Sequence, residues 1–340
     1  MKISASVYAG SQKPMQSLVD GLEKWFVDYM HIDLHSPQEA AQRLAEVKSF
    51  SNTPLDVHII HADPSLFLPH LISSLPHLVC VQLETVDPNT LPHFFYSCQA
   101  AGIKTGIAIL PQTNLDLVIP LAESIDYVMV MTTTPGKSGG TFSPEAFQQI
   151  IALQHRLPGK KIHVDGGVNN EVAYILHLLG VELLISGAYL TGSESVYRSM
   201  ISLHRPEADR AQKFKVADFM VPLEFLPLLP DESLHWLHIL ETIEKYKQGF
   251  VLIQDKTGQL SGVFSNADLR RAFLLATKNQ QLPPPAEMMN KKPFVITANQ
   301  SAADLHLFIQ QLPVIILFLP VLNPDGKLCG AIYLNKLTKI

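Results

Sequence analysis

Three short segments place histidine and aspartate side chains where they could share a metal ion or pass a proton. They are His31-Ile32-Asp33, Asp56-Val57-His58 and His163-Val164-Asp165-Gly166-Gly167. Each lies in or at the end of a short apolar run bounded by turn residues, the pattern of a strand. Side chains alternate across a strand, so residues two apart share a face. His31, Asp33 and His35 therefore point one way, as do His163 and Asp165. Two imidazoles and two carboxylates from three strands form a coordination set for a divalent metal, and the same carboxylates could move protons.

Up to about residue 204, runs rich in β-forming residues alternate with helix-like stretches. Expected strands are Ile3–Tyr8, Met30–His35, Leu55–Ile60, Leu78–Leu83, Lys104–Leu110, Tyr127–Thr132, Lys161–Asp165 and Glu182–Ser186. Amphipathic stretches such as Pro37–Phe50 and Ser143–Gln154 separate them. Alternation of this kind implies parallel strands in βαβ units. Eight units predict a (β/α)8 TIM barrel over residues 1–204, with a doubly wound open sheet as the alternative. The barrel is favoured because it brings the polar ends of many strands to one face.

Arg205 to Lys213 belongs to a charged stretch read as a linker, and residues 214–340 have a different texture. Short strands are expected at Phe250–Gln254, Ser261–Ser265, Phe294–Thr297, Ile315–Leu322 and Gly330–Leu334. The turns Asp255-Lys256-Thr257-Gly258 and Asn323-Pro324-Asp325-Gly326 sit at matching places in two copies, 214–278 and 284–340. This is a smaller α+β domain built by internal repetition.

Composition narrows the function classes. The 340 residues are 47% hydrophobic and 17% charged, with a net charge of −5 and no long basic run, so nucleic acid is not an expected partner. Cys80, Cys98 and Cys329 lack metal-type spacing and suit a reducing cytoplasm. No signal peptide is visible. The most apolar run, Leu312 to Leu322, is broken by Pro313 and Pro320 and reads as a buried strand, so no membrane association is expected.

The N-terminal segments resemble the ribulose-phosphate 3-epimerase family of ribulose-phosphate-binding barrels. Lys2-Ile3-Ser4-Ala5-Ser6 matches the opening strand, and His31-Ile32-Asp33 and Asp56-Val57-His58 match the family's next two motifs. The run from Met131 to Gly140 matches the glycine-rich lid, Val164-Asp165-Gly166-Gly167 the seventh-strand turn, and Ser186-Gly187-Ala188 the phosphate-side turn. The resemblance implies a divalent metal (Zn, Mn, Fe or Co) held by His31, Asp33, His58 and Asp165. It implies that Asp33 and Asp165 are the acid/base pair of an isomerase epimerising C3 of a phosphorylated ketose. Ser6, His58, Gly136, Gly139, Gly166, Gly167 and Gly187 are the implied substrate contacts. The competing expectation is a catalytically weak barrel acting as a sugar-phosphate sensor or interaction scaffold.

This chain departs from the family pattern in the pocket lining. His35 and Ile60 stand where methionines are usual, Gln82 replaces a histidine, and Lys137-Ser138 and Gly140 alter the lid. His35, Lys137 and His163 are therefore candidates for substrate tuning. Residues 214–340 resemble a pair of CBS domains. Gly262-Val263-Phe264-Ser265-Asn266-Ala267-Asp268 matches the repeat's motif, which implies an adenine nucleotide held by Ser265 and Asp268. Tyr333 and Lys336 occupy those positions in the second copy. The resemblance also implies homo-oligomer formation through the pair.

Overall fold

The structure is a computed structural model that describes residues 1–9, 13–136 and 139–334. It separates into two compact units, Met1–Gln212 and Lys213–Ile340.

In the first unit the chain runs β1 (Lys2–Ser6), α1 (Met15–Glu23), β2 (Tyr29–Leu34), α2 (Pro37–Phe50), β3 (Leu55–Ile59), α3 (Leu68–Ser74), β4 (Leu78–Gln82), α4 (Leu91–Ala100) and β5 (Lys104–Ile109). It continues through β6 (Tyr127–Met131), α5 (Glu145–Arg156), β7 (Lys161–Asp165), α6 (Asn170–Leu178), β8 (Leu183–Ser186), α7 (Ala188–Thr191) and α8 (Val196–His204). All eight strands are parallel, and β1 pairs with β8 through Ser4 and Ile185, so the sheet closes. That pairing rules out the open doubly wound sheet. Between β5 and β6 the crossover uses two 3-10 turns, Leu115–Leu117 and Ile119–Ser124, where Pro120 removes a helix donor.

Inward-facing residues fill the barrel. Tyr29, Leu78, Cys80, Ala108, Tyr127, Met129, Met131, Leu183 and Ile185 form a buried cluster. Gly106 on β5 lies opposite Tyr127 on β6, and a Cβ there would fall 2.5 Å from the ring. The missing side chain lets a tyrosine occupy the interior. Residues 205–213, expected as a linker, include the 3-10 turn Ala208–Ala211 of the first unit. Its two terminal alanines are buried while Glu207, Asp209 and Arg210 face solvent.

The second unit adds α9 (Val216–Phe219), β9 (Val221–Pro222), β10 (Leu228–Pro230), α10 (Trp236–Tyr246), β11 (Phe250–Gln254), β12 (Leu260–Ser265) and α11 (Asn266–Asn279). After α12 (Pro285–Met288) come β13 (Ile296–Thr297), α13 (Ala302–Gln311), β14 (Phe318–Leu322) and β15 (Leu328–Tyr333). Two sheets result, β10-β11-β12 and β13-β14-β15-β9. The copies match in detail: β10 runs parallel to β11 as β13 does to β14, and each second strand turns back antiparallel. Both hairpins shift register at the same place, Ile253/Gln254 and Val321/Leu322, a shared bulge. Gly258 and Gly326 close the two turns at φ +86° and +80°. Phe250 and Phe318, the first residues of β11 and β14, stack with ring centroids 3.8 Å apart.

Candidate metal centre and substrate pocket

The C-terminal ends of β2, β3 and β7 bring His31, Asp33, His58 and Asp165 together. One ligand atom from each lies within 4.8 Å of all the others. Strand pairing explains the convergence. His31 is in register with Asp56, and Asp33 with His58, so equivalent rungs of adjacent strands turn their side chains inward together.

Each imidazole is held by a second partner. Asp56 Oδ2 lies 2.9 Å from His31 Nδ1 and also accepts from Ser4 Oγ at 2.9 Å. Gln82 Oε1 lies 2.9 Å from His58 Nε2. With those nitrogens donating, the opposite nitrogens, His31 Nε2 and His58 Nδ1, offer lone pairs to the centre. His31 Nε2 is fully buried without a hydrogen-bond partner, 3.4 Å from Asp33 Oδ1 and 3.7 Å from Asp165 Oδ2. His58 Nδ1 is 3.1 Å from Asp33 Oδ1. A buried nitrogen without a partner, aimed between carboxylates, fits a divalent ion with mixed nitrogen and oxygen ligands.

The electrostatics split the two carboxylates. Burial opposes ionisation of Asp33, but the adjacent His31 and His58 imidazoles outweigh it and hold its pKa far below the usual range. Burial dominates at Asp165 and pushes its pKa up to about 6. Burial also opposes charge on His31, yet Asp56 and Asp33 outweigh it and hold that imidazole's pKa well above its ordinary value, so a bound cation would take the place of the proton on Nε2. The two neighbouring carboxylates are thus shifted in opposite directions.

Over this centre lies a cavity of about 330 Å³. Its lining includes the expected Ser6, Asp33, His35, Gly136, Gly139, Asp165, Gly166, Gly167 and Gly187. The turn after β7 needs glycine twice. Gly166 and Gly167 sit at φ +104° and +59°, and side chains there would strike Thr133 and the Phe142 backbone. Gly136 abuts His35: a Cβ there, at φ +71°, would lie 2.5 Å from His35 Cε1 and 3.2 Å from Ile60. Two departures from the family pattern, His35 and Ile60, are therefore what Gly136 meets, and a third, Gln82, orients His58.

His163 takes a different position from the one expected of a substrate-tuning residue. It is absent from the cavity lining, stacks on Tyr127 at 4.0 Å and lines a smaller cavity of about 100 Å³ with Lys2, Lys104 and Lys161. It sits at the middle of β7, one inward rung below Asp165, and burial lowers its pKa to about 4. Lys137 and Lys336 lie outside the described residues. Sequence reasoning missed Arg43, Tyr8 and Asn169, which all line the pocket. Parity with His58 on β3 was the available signal for Asp56 as an inward-facing partner.

In the second unit Ser265 and Asp268 lie side by side, with Ser265 Oγ donating to Asp268 Oδ2 at 2.6 Å and Ser265 N at 2.7 Å. This is a helix capping box at the start of α11, and Asp268 also accepts from Arg271. Ser301 and Asp304 repeat the box at α13. Ser265 and Asp268 also line a cavity of about 940 Å³ together with Arg270 and Arg271. Among the described residues no helix is long and apolar enough to cross a membrane.

The fold is a (β/α)8 barrel that gathers four side chains able to hold a metal ion at the C-terminal ends of its strands. The family model of ribulose-phosphate 3-epimerases matches residues 2–191, and the chain belongs to that family of isomerases. It is 25% identical over 223 residues to ribulose-phosphate 3-epimerase of Schizosaccharomyces pombe, spanning 63% of this chain and 96% of that one. The Bacillus subtilis enzyme of the same name is 26% identical over 206 residues, spanning 56% of this chain and 93% of its own. The chain is also similar to CBS-domain structures. A crystal structure of CBSX2 in complex with AMP aligns with 37% of this chain and 94% of its own, at 22% identity and a TM-score of 0.32.

Proposed function

We propose that the barrel epimerises C3 of a ketose phosphate, ribulose/xylulose 5-phosphate or a close relative. The observation that carries this reading is the set of four ligand atoms within 4.8 Å, two of them carboxylate oxygens, beneath a glycine-rimmed cavity. Inversion at a carbon next to a ketone requires one proton to leave and another to arrive on the opposite face. Asp33 and Asp165, both lining the cavity, would serve as this pair, one removing the proton and the other delivering it, with the roles exchanged for the reverse reaction. His31, Asp33, His58 and Asp165 would hold a divalent ion, which when bound supplies Lewis-acid stabilisation to the oxyanions of the enediolate. Gly166, Gly167 and Gly187 leave backbone approachable by the phosphate, and Ser6 offers a hydroxyl in the same cavity. Gly136 and Gly139 let the lid close over the substrate and exclude water.

The test is solvent deuterium incorporation at C3 of ribulose 5-phosphate, with and without a chelator. Incorporation that disappears on chelation is expected. Asp33→Asn or Asp165→Asn should each lower it by about 10²- to 10⁴-fold. No incorporation with Zn, Mn, Fe or Co would refute the reading and leave the sugar-phosphate sensor, an alternative favoured by the altered lining at His35.

For the second unit we infer an adenine-nucleotide site at Ser265 and Asp268, supported by the large cavity and its two arginines. Equilibrium dialysis with AMP and ATP tests it, and absence of saturable binding would end it. Exposed Leu237, Phe273, Leu274 and Ile315 support self-association through this unit, which light scattering would reveal. Three free cysteines, two of them buried, support a cytoplasmic setting, testable by cell fractionation.

A further inference from the structure

The lining of the substrate cavity holds one guanidinium that no motif announced. Arg43 is the only lysine or arginine among the described lining residues. Its position follows from the start of α2. Ser36 caps the helix, accepting from Glu39 N at 3.2 Å, and Glu39 Oε2 accepts from His35 N at 2.8 Å. These two bonds fix the first turn against the end of β2, and Arg43 falls one turn beyond Glu39 on the same face.

Arg43 is then held from three sides. Nη1 donates to the Asp33 backbone carbonyl at 2.7 Å, and the guanidinium carbon lies 4.6 Å from the centroid of the Tyr8 ring. Tyr8 is itself tethered, its hydroxyl donating to Glu46 Oε2 at 2.7 Å. Glu39 Oε1 stands 3.4 Å from Nη2, longer than a strong charge-assisted pair. The guanidinium therefore keeps donor capacity, and its side chain, 27% exposed, faces the cavity.

The cavity has two chemically different walls. Gly166–Gly167 follow β7 and Gly187 follows β8, with no cationic side chain among the described lining residues there. Tyr8 follows β1, and His35 and Arg43 follow β2, three strands round the barrel from β7. A single terminal phosphate in the glycine turns leaves this fixed cation without an anion beyond the carboxylates.

We propose that Arg43, seated on Tyr8 and flanked by His35, is a second anion subsite. The substrate class is then a ketose phosphate carrying another acidic group, a phosphate or a carboxylate, at the end remote from the first phosphate. This rests on the epimerase reading above and names its substrate more closely.

The experiment compares C3 deuterium incorporation for ribulose 5-phosphate, ribulose 1,5-bisphosphate and a 2-keto-pentonate 5-phosphate. The wild-type protein should show a kcat/KM at least about tenfold higher for one doubly acidic substrate, the scale of one charge-assisted hydrogen bond. Which of the two wins identifies the second group. Arg43→Met should collapse the ratio of doubly to singly acidic kcat/KM towards one, and Arg43→Lys should restore part of it. Tyr8→Leu, which removes only the platform, should lower the ratio less. Exchange of ribulose 5-phosphate without preference for either doubly acidic substrate would overturn the subsite and leave the epimerase intact. Equal losses on all substrates in Arg43→Met would also overturn it, making Arg43 a positioning residue for Asp33. No exchange with any of them would overturn both.

Discussion

Asp56 never enters the metal centre, yet its removal should loosen the metal. Its carboxylate is buried, and Oδ2 is the acceptor for both His31 Nδ1 and Ser4 Oγ at 2.9 Å. Asp56→Asn preserves shape and one acceptor but removes the charge that fixes His31 with Nε2 free. A charge-assisted hydrogen bond contributes about 1.5–3 kcal/mol against about 1 kcal/mol for a neutral one. The difference, about 0.5–2 kcal/mol, is joined by freer rotation of His31, and losses of about 10- to 100-fold in metal affinity are usual for such partners. Ser4→Ala deletes one bond to the same oxygen but leaves the carboxylate charge on His31, and should cost less than about tenfold. The assay is competition against a chromogenic chelator with Zn and Mn, with circular dichroism confirming the fold. Wild-type affinity in a folded Asp56→Asn protein, or a larger loss in Ser4→Ala than in Asp56→Asn, would refute the reasoning.

Three further outcomes follow from the geometry. Gly136→Ala combines an unfavourable φ of +71° with a Cβ 2.5 Å from the His35 ring, so kcat/KM should fall by at least about tenfold. Adding His35→Ala should recover part of that loss, and steady-state kinetics on both variants measures it. His177 donates from Nε2 to the Leu203 carbonyl, and burial lowers its pKa to about 4. The unfolded chain therefore binds this proton first: stability is unaffected above pH 6.5 and falls as the pH drops towards 4, by up to roughly 3 kcal/mol. His177→Gln should flatten that slope in urea unfolding series, and an unchanged slope would count against it. Gly167→Ala should weaken inorganic phosphate binding, since φ is +59° and its Cβ would strike the Phe142 backbone; phosphate titration by calorimetry checks this.

Strand periodicity marked the three His/Asp segments and put His31 and Asp33 on one face, and a barrel gathers strand ends. The selection of His31, Asp33, His58 and Asp165 as the four came from the family resemblance, and the register of β2 with β3 accounts for how His58 meets Asp33. The same parity gave His163 the correct face but not its depth, one rung lower against Tyr127. Arg43 and Tyr8 were not legible, because the roll of α2 about its axis and the path after β1 depend on tertiary contacts that no local pattern encodes. Strand ends were overrun in the same way: Val7 and Tyr8 have β-forming side chains, but the ladder of β1 stops at Ser6. In the second unit β9 and β10 were missed, being two and three residues long and each ending in proline.

The stacked Phe250 and Phe318 carry a consequence for how the C-terminal unit responds to stress. Each ring opens a strand of its own copy, β11 or β14, and finds its flat partner in the other sheet. Neither half can release its phenylalanine without uncovering its twin. The duplicated halves should therefore melt in a single transition, and a cut between them, near Pro283–Pro285, should leave each half of this unit ordered only while the other is present.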